Sequence, residues 1–230
     1  LALTMTGQIQ QPLEPQKRNV LMQMNWSAEG PQVWLPYLKL VLPDTGLRRW
    51  LTQDVKRIHQ TSGNIIINGL WKDFPFDAQQ GEFTVNAHLY DVDLSFAKSW
   101  PLATHVDANL KSNGRHMEVM IDKAILGDLP VSQLHLNFPQ LGLGKEVILV
   151  HGVIQDKVSK MMQYLMKSPL RHKAKNWMIY DFQGNGILDL KLDIPLSKER
   201  DDVFVDGQLK ISEQPLDLKI FTHPLRIENC

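Results

Sequence analysis

The chain has 230 residues, 43% hydrophobic and 22% charged, which is ordinary for a globular protein long enough to bury a sizeable core. Its 25 Lys and Arg residues balance 25 Asp and Glu residues, which argues against a nucleic-acid partner because such proteins carry a basic excess. The one cysteine, Cys230, excludes an internal disulfide framework and a cysteine metal cluster.

Alternating apolar and polar residues predict β-strands along most of the chain. Successive side chains of a strand point to opposite faces, so this pattern indicates strands with one apolar and one polar face. In chain order, the pattern predicts strands near 3–9, 20–26, 63–70, 81–96, 104–111, 115–125, 130–138, 146–154, 176–183, 186–196, 202–212 and 215–221. In the segment 81–96 the phase of the pattern changes near Asp91, which predicts a β-bulge.

Two segments have helical spacing instead. The first predicted helix lies near 45–59, can be capped by Asp44 or Thr45, and has an apolar face formed by Leu47, Trp50, Leu51, Val55 and Ile58. The second lies near 156–167, with Asp156 as its N-cap, and its apolar face is formed by Val158, Met161, Met162, Leu165 and Met166. The sequence therefore predicts a mainly β fold with two short helices.

The predicted helices are too small to cover the apolar face of the predicted sheet. Roughly eleven strands make a face of about 1,400 Å², whereas two short helices shield roughly 400 Å². Soluble proteins seldom leave so large an apolar surface exposed. Three architectures solve this problem: the sheet folds into a sandwich, closes as a barrel, or curls into a trough that holds an apolar ligand.

The sequence contains no pattern typical of an enzyme active site or a metal centre. No nucleophile motif, phosphate-binding loop or metal-binding histidine pair is present. His88, His135 and His151 lie in predicted strands, where strand-face histidines are commoner than metal ligands. Asp91 and Asp93 are interpreted as part of the bulge rather than as an acidic pair. We therefore expect no catalytic residues, no metal and no cofactor.

Aromatic residues cluster beside predicted loops and prolines, at Trp71, Phe74, Phe76, Trp100 and Trp177. These positions predict side chains that plug the ends of the sheet. The same rings could instead stack on sugars, which leaves a carbohydrate-binding domain as an alternative hypothesis.

Short motifs follow one another in a characteristic order from about residue 31 to residue 221. They are LPYL (35–38), RRWL (48–51), INGLWKDFPF (67–76), GEFTV (81–85), SWPL (99–102), KSPL (167–170), LDLKLDIPL (188–196) and VDGQLKI (205–211). This series resembles the YhdP-type members of the AsmA-like family, which also includes TamB.

The resemblance implies both a fold and a function. Members of the family are long envelope proteins of double-membraned bacteria, built of repeating β-groove units whose curled antiparallel sheet has an apolar concave face. They are anchored in the inner membrane, reach across the periplasm and are thought to pass phospholipids toward the outer membrane. The chain, residues 1–230, would be one internal segment of such a protein, with the membrane anchor and the C-terminal region outside it.

The expected function is non-enzymatic phospholipid transport across the periplasm, between the inner and outer membranes. Acyl chains are the expected partner, membranes are contacted through other parts of the protein, and neither nucleic acid nor a stable oligomer is expected. The alternative is a scaffolding envelope domain, a closed β-sandwich with a dry core. The predicted groove-lining residues are Ile65, Ile67, Phe83, Val85, Leu89, Val106, Leu110, Met117, Val119, Ile121, Leu134, Leu136, Ile148, Val150, Leu188, Leu190, Leu192, Ile194, Leu216 and Leu218.

Overall fold

The computed structural model describes residues 2–10, 19–30, 53–96, 99–143, 146–171, 184–195, 202–212, 216–221 and 224–226. These residues form the strands β1 (Ala2–Gln10), β2 (Asn19–Glu29), β3 (Val55–Leu70), β4 (Glu82–Leu94), β5 (Ala103–Asn113), β6 (His116–Leu126), β7 (Leu129–Phe138), β8 (Val147–Lys157), β9 (Asn185–Pro195), β10 (Asp202–Ile211), β11 (Leu216–Phe221) and β12 (Pro224–Arg226). One helix is described in full, α1 (Val158–Met166), together with a 3-10 turn at Trp71–Asp73.

All of these strands belong to one antiparallel sheet in which sequence neighbours pair. The order runs from β1 to β11 without a crossover, and β12 pairs with β10. Within the described residues β1 does not pair with β11, so the sheet is not closed. The prediction of a mainly β fold with an antiparallel sheet is confirmed. The described strands form a single continuous sheet.

A line of irregular backbone positions, with bulges in the pairings of β4 with β5 and of β5 with β6, crosses the sheet from β4 to β7. Asp91, His105 and Gln133 each have a positive φ, at 50°, 52° and 56°, a conformation that non-glycine residues seldom adopt. The pairing of β4 with β5 shifts register between Leu89 and Val92, and a similar shift surrounds His105 in the pairing of β5 with β6. The bulge predicted near Asp91 is therefore confirmed, and it recurs in neighbouring strands. We call this feature the bulge line.

The first predicted helix is wrong where the structure describes it. Gln53 has a helical conformation, but Asp54 lies in a turn and β3 begins at Val55; residues 45–52 lie outside the described residues. Val55 and Ile58 are three residues apart, a helical spacing, yet both contact the core because the register of β3 shifts between Val55 and Arg57. A bulge thus imitates the spacing of a helix face. The strand predicted near 176–183 also lies outside the described residues.

The second predicted helix is present as α1. Its buried side chains are Val158, Met161, Met162, Tyr164 and Leu165. The helix ends where the Ser168 hydroxyl donates to the carbonyl of Leu165 at 2.7 Å. Asp156 does not cap the helix, since its carboxylate accepts instead from the Lys157 amide and the Lys160 ammonium.

Two apolar clusters lie on the same face of the sheet, which we call the inner face. The larger cluster joins β3 through β10 with α1, and the smaller one joins β2, β3 and β4 to Phe76 in the loop after β3. Gly69 has φ +146°, and a Cβ there would lie 2.6 Å from the Phe76 ring, so glycine makes room for this ring. The core of the protein is therefore one face of a sheet, closed in part by a helix and a loop.

Candidate functional site

A row of apolar residues crosses the inner face from strand to strand. Each member is the direct cross-strand partner of the next, and partners of this kind point to the same side of a sheet. We call it the central row: Trp26, Gly63, Ala87, Leu110, Val119, Leu136, Val150, Leu192 and Val205. It runs perpendicular to the strands and spans β2 to β10 without a polar interruption.

The burial of the central row changes along its length. Its first seven members, on β2 to β8, are half-buried, so solvent reaches them in part. The last two, Leu192 and Val205, are buried, and Val205 has 0% exposure. The row therefore passes from an accessible region into a tightly packed one.

The predicted groove-lining residues converge on the inner face. All eighteen whose side chains are described belong to, or pack against, one of the two apolar clusters. Four of them, Ile65, Ile67, Phe83 and Val85, belong with the smaller cluster, and the other fourteen belong with the larger one. Leu216 and Leu218 lie in β11, outside the described side chains.

Several inner-face residues escaped the sequence reasoning. On β10, Val203, Val205, Leu209 and Ile211 are buried, and the polar residues Asp206, Gln208 and Lys210 between the last three indicate the alternation that would have identified them. Ala124, by contrast, lies three residues beyond Ile121 on the same face, on the other side of the bulge line. No local signal in the sequence marks the point at which the inward-facing positions of β6 change from odd to even residue numbers.

Gly152 allows β7 and β8 to approach each other on the inner face. A Cβ at this position would lie 2.0 Å from Cδ2 of Leu134, so any other residue displaces the leucine. The two strands pair only from His135 opposite His151 to Asn137 opposite Leu149, whereas β8 and β9 pair along eleven residues. Gly152 therefore lies directly beside a short pairing of only three residue pairs.

Charged side chains on the opposite, outer face hold the bulge line together. The Arg57 guanidinium donates to Asp93 at 2.7 Å and to Asp91 at 2.8 Å. The Asp93 carboxylate accepts from the His105 amide at 3.1 Å, and the Asp107 carboxylate accepts from the Asp91 amide at 2.9 Å. Amides that the bulges remove from the sheet ladder thus find side-chain acceptors, as buried or half-buried amides require.

The same contacts perturb the ionisation of these carboxylates. Hydrogen bonds from Arg57, and for Asp91 also from His105, hold the pKa values of Asp91 and Asp93 below their ordinary range. Burial opposes ionisation of Asp107, but hydrogen bonds from the Asp91 amide and from Lys123 outweigh it and lower the pKa. Because every acceptor here is already engaged, this network acts as a structural element rather than as an acid–base site.

The aromatic residues considered for sugar stacking do not share one surface. Trp71 stacks on Phe74 at 5.3 Å, and Phe74 meets Phe76 edge-on at 5.9 Å, at the end of β3. Trp100 is buried at the opposite end of the strands, before β5. Trp177 lies outside the described residues.

Neither a metal site nor a membrane-spanning helix is found among the described residues. The described part of the chain contains no group of three or more His, Cys, Asp or Glu side chains placed to hold a metal ion. No helix in the described ranges combines the length and the apolarity of a bilayer-crossing segment.

Comparison with known proteins agrees with the order of motifs in the sequence. The sequence model of the YhdP protein family matches residues 2–229. The intermembrane phospholipid transporter YhdP of Escherichia coli strain K12 is 24% identical over 193 residues, which cover 83% of this chain and 15% of that protein. The chain thus spans about one seventh of the curated relative that it matches. No solved structure matches the chain. Since the family match extends over nearly every residue, the chain belongs to the YhdP protein family.

Proposed function

We propose that the chain is one segment of a longer groove along which phospholipids pass across the periplasm, between the inner and outer membranes. In this proposal the sheet curls, acyl chains lie on the inner face, and no covalent chemistry takes place. The parent protein would be anchored in the inner membrane through parts outside this chain. The observation that carries the proposal is the central row, an uninterrupted apolar path that remains partly accessible from β2 to β8.

The dimensions of the central row suit an acyl chain. Nine strands at ~4.8 Å spacing give the row a length of roughly 38 Å. One leaflet of a bilayer core is about 15 Å thick, so a lipid tail fits along the row with room to move. A path perpendicular to the strands also continues naturally into further strands on either side.

The chemistry of the row favours sliding over capture. Burial of each acyl methylene in an apolar site is worth about 0.8 kcal/mol, which offsets the cost of leaving a bilayer. Similar apolar contacts recur at every strand, from Leu110 through Val119 and Leu136 to Val150. These contacts are nearly equivalent. An acyl chain that advances by one strand therefore loses one set of apolar contacts and gains a similar set, so no single position holds it in a deep free-energy minimum.

A scaffolding role is the second candidate, and the packed end of the row favours it. Val205 and Leu209 are 0% and 1% exposed, so the inner face at β10 is a dry core. A protein that served only as a scaffold would have such a core along its whole length. The two functions therefore differ in whether lipid occupies the half-buried region from β2 to β8.

The test is to place a charge in that region and measure bound lipid. The chain purified without detergent should carry phospholipid that lipid extraction and native mass spectrometry detect. Val119→Asp should lose most of this lipid, because a carboxylate in the row disfavours acyl chains. Met120→Asp is the matched control, since Met120 is the next residue in β6 and points to the outer face with 43% exposure.

Circular dichroism and a cooperative thermal transition establish that each variant is folded. Leu190→Asp and Ile187→Asp, on the inner and outer faces of β9, repeat the comparison. If the folded inner-face variants keep as much lipid as the outer-face controls, lipid does not lie on the inner face. A chain that carries no lipid even after incubation with phospholipid vesicles favours the scaffold.

A further inference from the structure

Two buried aromatic residues, each with one polar group, lie side by side at one end of the larger apolar cluster. Trp100, in the connection between β4 and β5, and Tyr164, on α1, are each 8% exposed. Their rings lie 6.0 Å apart. The turn between β6 and β7 lies beside them, since a Cβ on Gly127 would be 3.7 Å from the Tyr164 ring. Strand ends, a turn and a helix therefore enclose this pair.

Neither group has a hydrogen-bond partner. The indole nitrogen of Trp100 and the hydroxyl of Tyr164 are both buried and unpaired in the described part of the chain. A buried donor without a partner costs about 1–3 kcal/mol, so two together are unusual in a folded protein. Burial raises the pKa of Tyr164, which keeps its hydroxyl protonated and able to donate.

We propose that Trp100 and Tyr164 form a binding site for the ester carbonyl of a glycerophospholipid. The inference rests on the proposed function, because it names the polar part of the same ligand. An acyl chain on the inner face has its ester at one end, where the apolar tail meets the polar glycerol. Two donors at the end of the apolar cluster, beside α1, would fix that boundary.

The surroundings favour a neutral acceptor over a phosphate. A buried anion needs a cation close to it, and Trp100 and Tyr164 carry no charge. Lys167 follows one turn after Tyr164, but its side chain is 58% exposed and its ammonium pairs with Asp128 at 2.8 Å. The carbonyl would therefore accept from Trp100 and Tyr164 while the phosphate stays in water, on the side of Lys167.

The experiment compares ester and ether lipids. The 230-residue chain is incubated with vesicles that contain equal amounts of a diacyl phospholipid and its diether analogue, with matched chains and headgroups. Bound lipid is then extracted and measured by mass spectrometry. The parent chain should retain the diester form roughly three- to tenfold over the diether form, the preference that one or two net hydrogen bonds give.

Tyr164→Phe removes the hydroxyl with little change of shape and should lower the ratio toward one, while the remaining Trp100 donor keeps part of the preference. Tyr90→Phe, on the outer face of β4, is the control and should keep the parent ratio. Trp100→Phe gives a second variant of the same site. Equal retention of ester and ether lipids by the parent, as expected if only water hydrogen-bonds to these two groups, would overturn this inference and leave the proposed function standing. If Tyr164→Phe leaves the ratio of diester to diether lipid unchanged, this inference is likewise overturned and the proposed function stands. Absence of both lipids from the parent would overturn the two proposals together.

Discussion

The two halves of the sheet differ in the regularity of their strands. From β8 to β10 the strands pair in continuous register, with eleven consecutive pairs between β8 and β9 and eight between β9 and β10. From β4 to β7 the bulge line interrupts the strands, and inward-facing positions change parity on crossing it. Bulges bend a strand and increase its twist. We therefore expect the sheet to curve more in the half with the bulge line than in the regular half.

The halves also differ in what stabilises them. The regular half relies on apolar packing against α1, with Val158 and Val205 both at 0% exposure. The bulged half adds an ionic network on its outer face, centred on Arg57, to satisfy the amides that the bulges release. Substitutions that remove only apolar packing, or only ionic contacts, should therefore affect the two halves unequally.

The largest effect is expected where the halves meet. Gly152→Ala places a Cβ against Leu134 in a packed core, and overpacking of this kind costs about 1–3 kcal/mol of unfolding free energy. Chemical denaturation measures the loss. Gly207→Ala is the matched control in the regular half, since its Cβ would lie 3.4 Å from the nearest atom, an ordinary contact.

A double-mutant cycle with Leu134→Ala tests the cause. Removing the leucine side chain leaves room for the new Cβ, so Gly152→Ala should cost little in that background. Additive losses from the two substitutions would show that the clash with Leu134 is not the reason for the glycine.

A smaller effect is expected from the ionic network. Arg57→Met removes the donor shared by Asp91 and Asp93 and leaves two carboxylates close together, so Tm should fall by a few degrees, less than for Gly152→Ala. Hydrogen exchange at the amides of Asp91 and His105 should accelerate. Lys210→Met, in the regular half, should change neither Tm nor the exchange of these amides. If Arg57→Met instead accelerates exchange throughout the sheet, the loss of the network destabilises the whole fold and not the bulge line alone.

The network also predicts a dependence on pH. The pKa values of Asp91, Asp93 and Asp107 are lowered on folding, so the unfolded chain binds protons more readily in acid. Their contribution to the free energy of unfolding is complete above the ordinary aspartate pKa of about 3.9. It is lost as the pH falls below that value, toward the lower pKa values of these carboxylates in the folded protein. Stability measured from about pH 6 to pH 2.5 should decline less steeply in Arg57→Met than in Lys210→Met. Equal slopes would mean that these contacts do not persist in solution.

The smallest effect is expected on the outer face of one strand. Val153→Thr, on the outer face of β8, should change the unfolding free energy by less than about 0.5 kcal/mol. Val150→Thr, three residues earlier on the central row, places a hydroxyl among apolar side chains and should cost about 1–2 kcal/mol. Denaturant titrations of the two variants compare the faces directly; equal costs would contradict the assignment of inner and outer sides.

Sequence reasoning succeeded where the strands are regular. In β9, Leu188, Leu190, Leu192 and Ile194 alternate with polar residues, and all four contact the larger apolar cluster. A period of two is enough to assign such a strand because nothing interrupts its pleat. The antiparallel sheet was an implication of the family resemblance, and the pairing of sequence neighbours came from the structure.

Sequence reasoning failed where a bulge changes the period. Val55 and Ile58 suggested a helix because two inward positions three residues apart occur both on a helix face and across a bulge. The pairing of Trp100 with Tyr164 was also out of reach, since the two residues are distant in the chain and meet only through the packing of α1. Local patterns carry no information about such contacts.

The pairing of each strand with its sequence neighbours also bears on how the protein forms and grows. Contacts between adjacent strands close short loops, so the sheet has few steps that require distant segments to find each other. Strands can therefore add one hairpin at a time as the chain emerges. A sheet without closure also sets no limit on strand number, and each added strand lengthens the path by ~4.8 Å. The reach of such a protein is then set by how many hairpins its gene encodes.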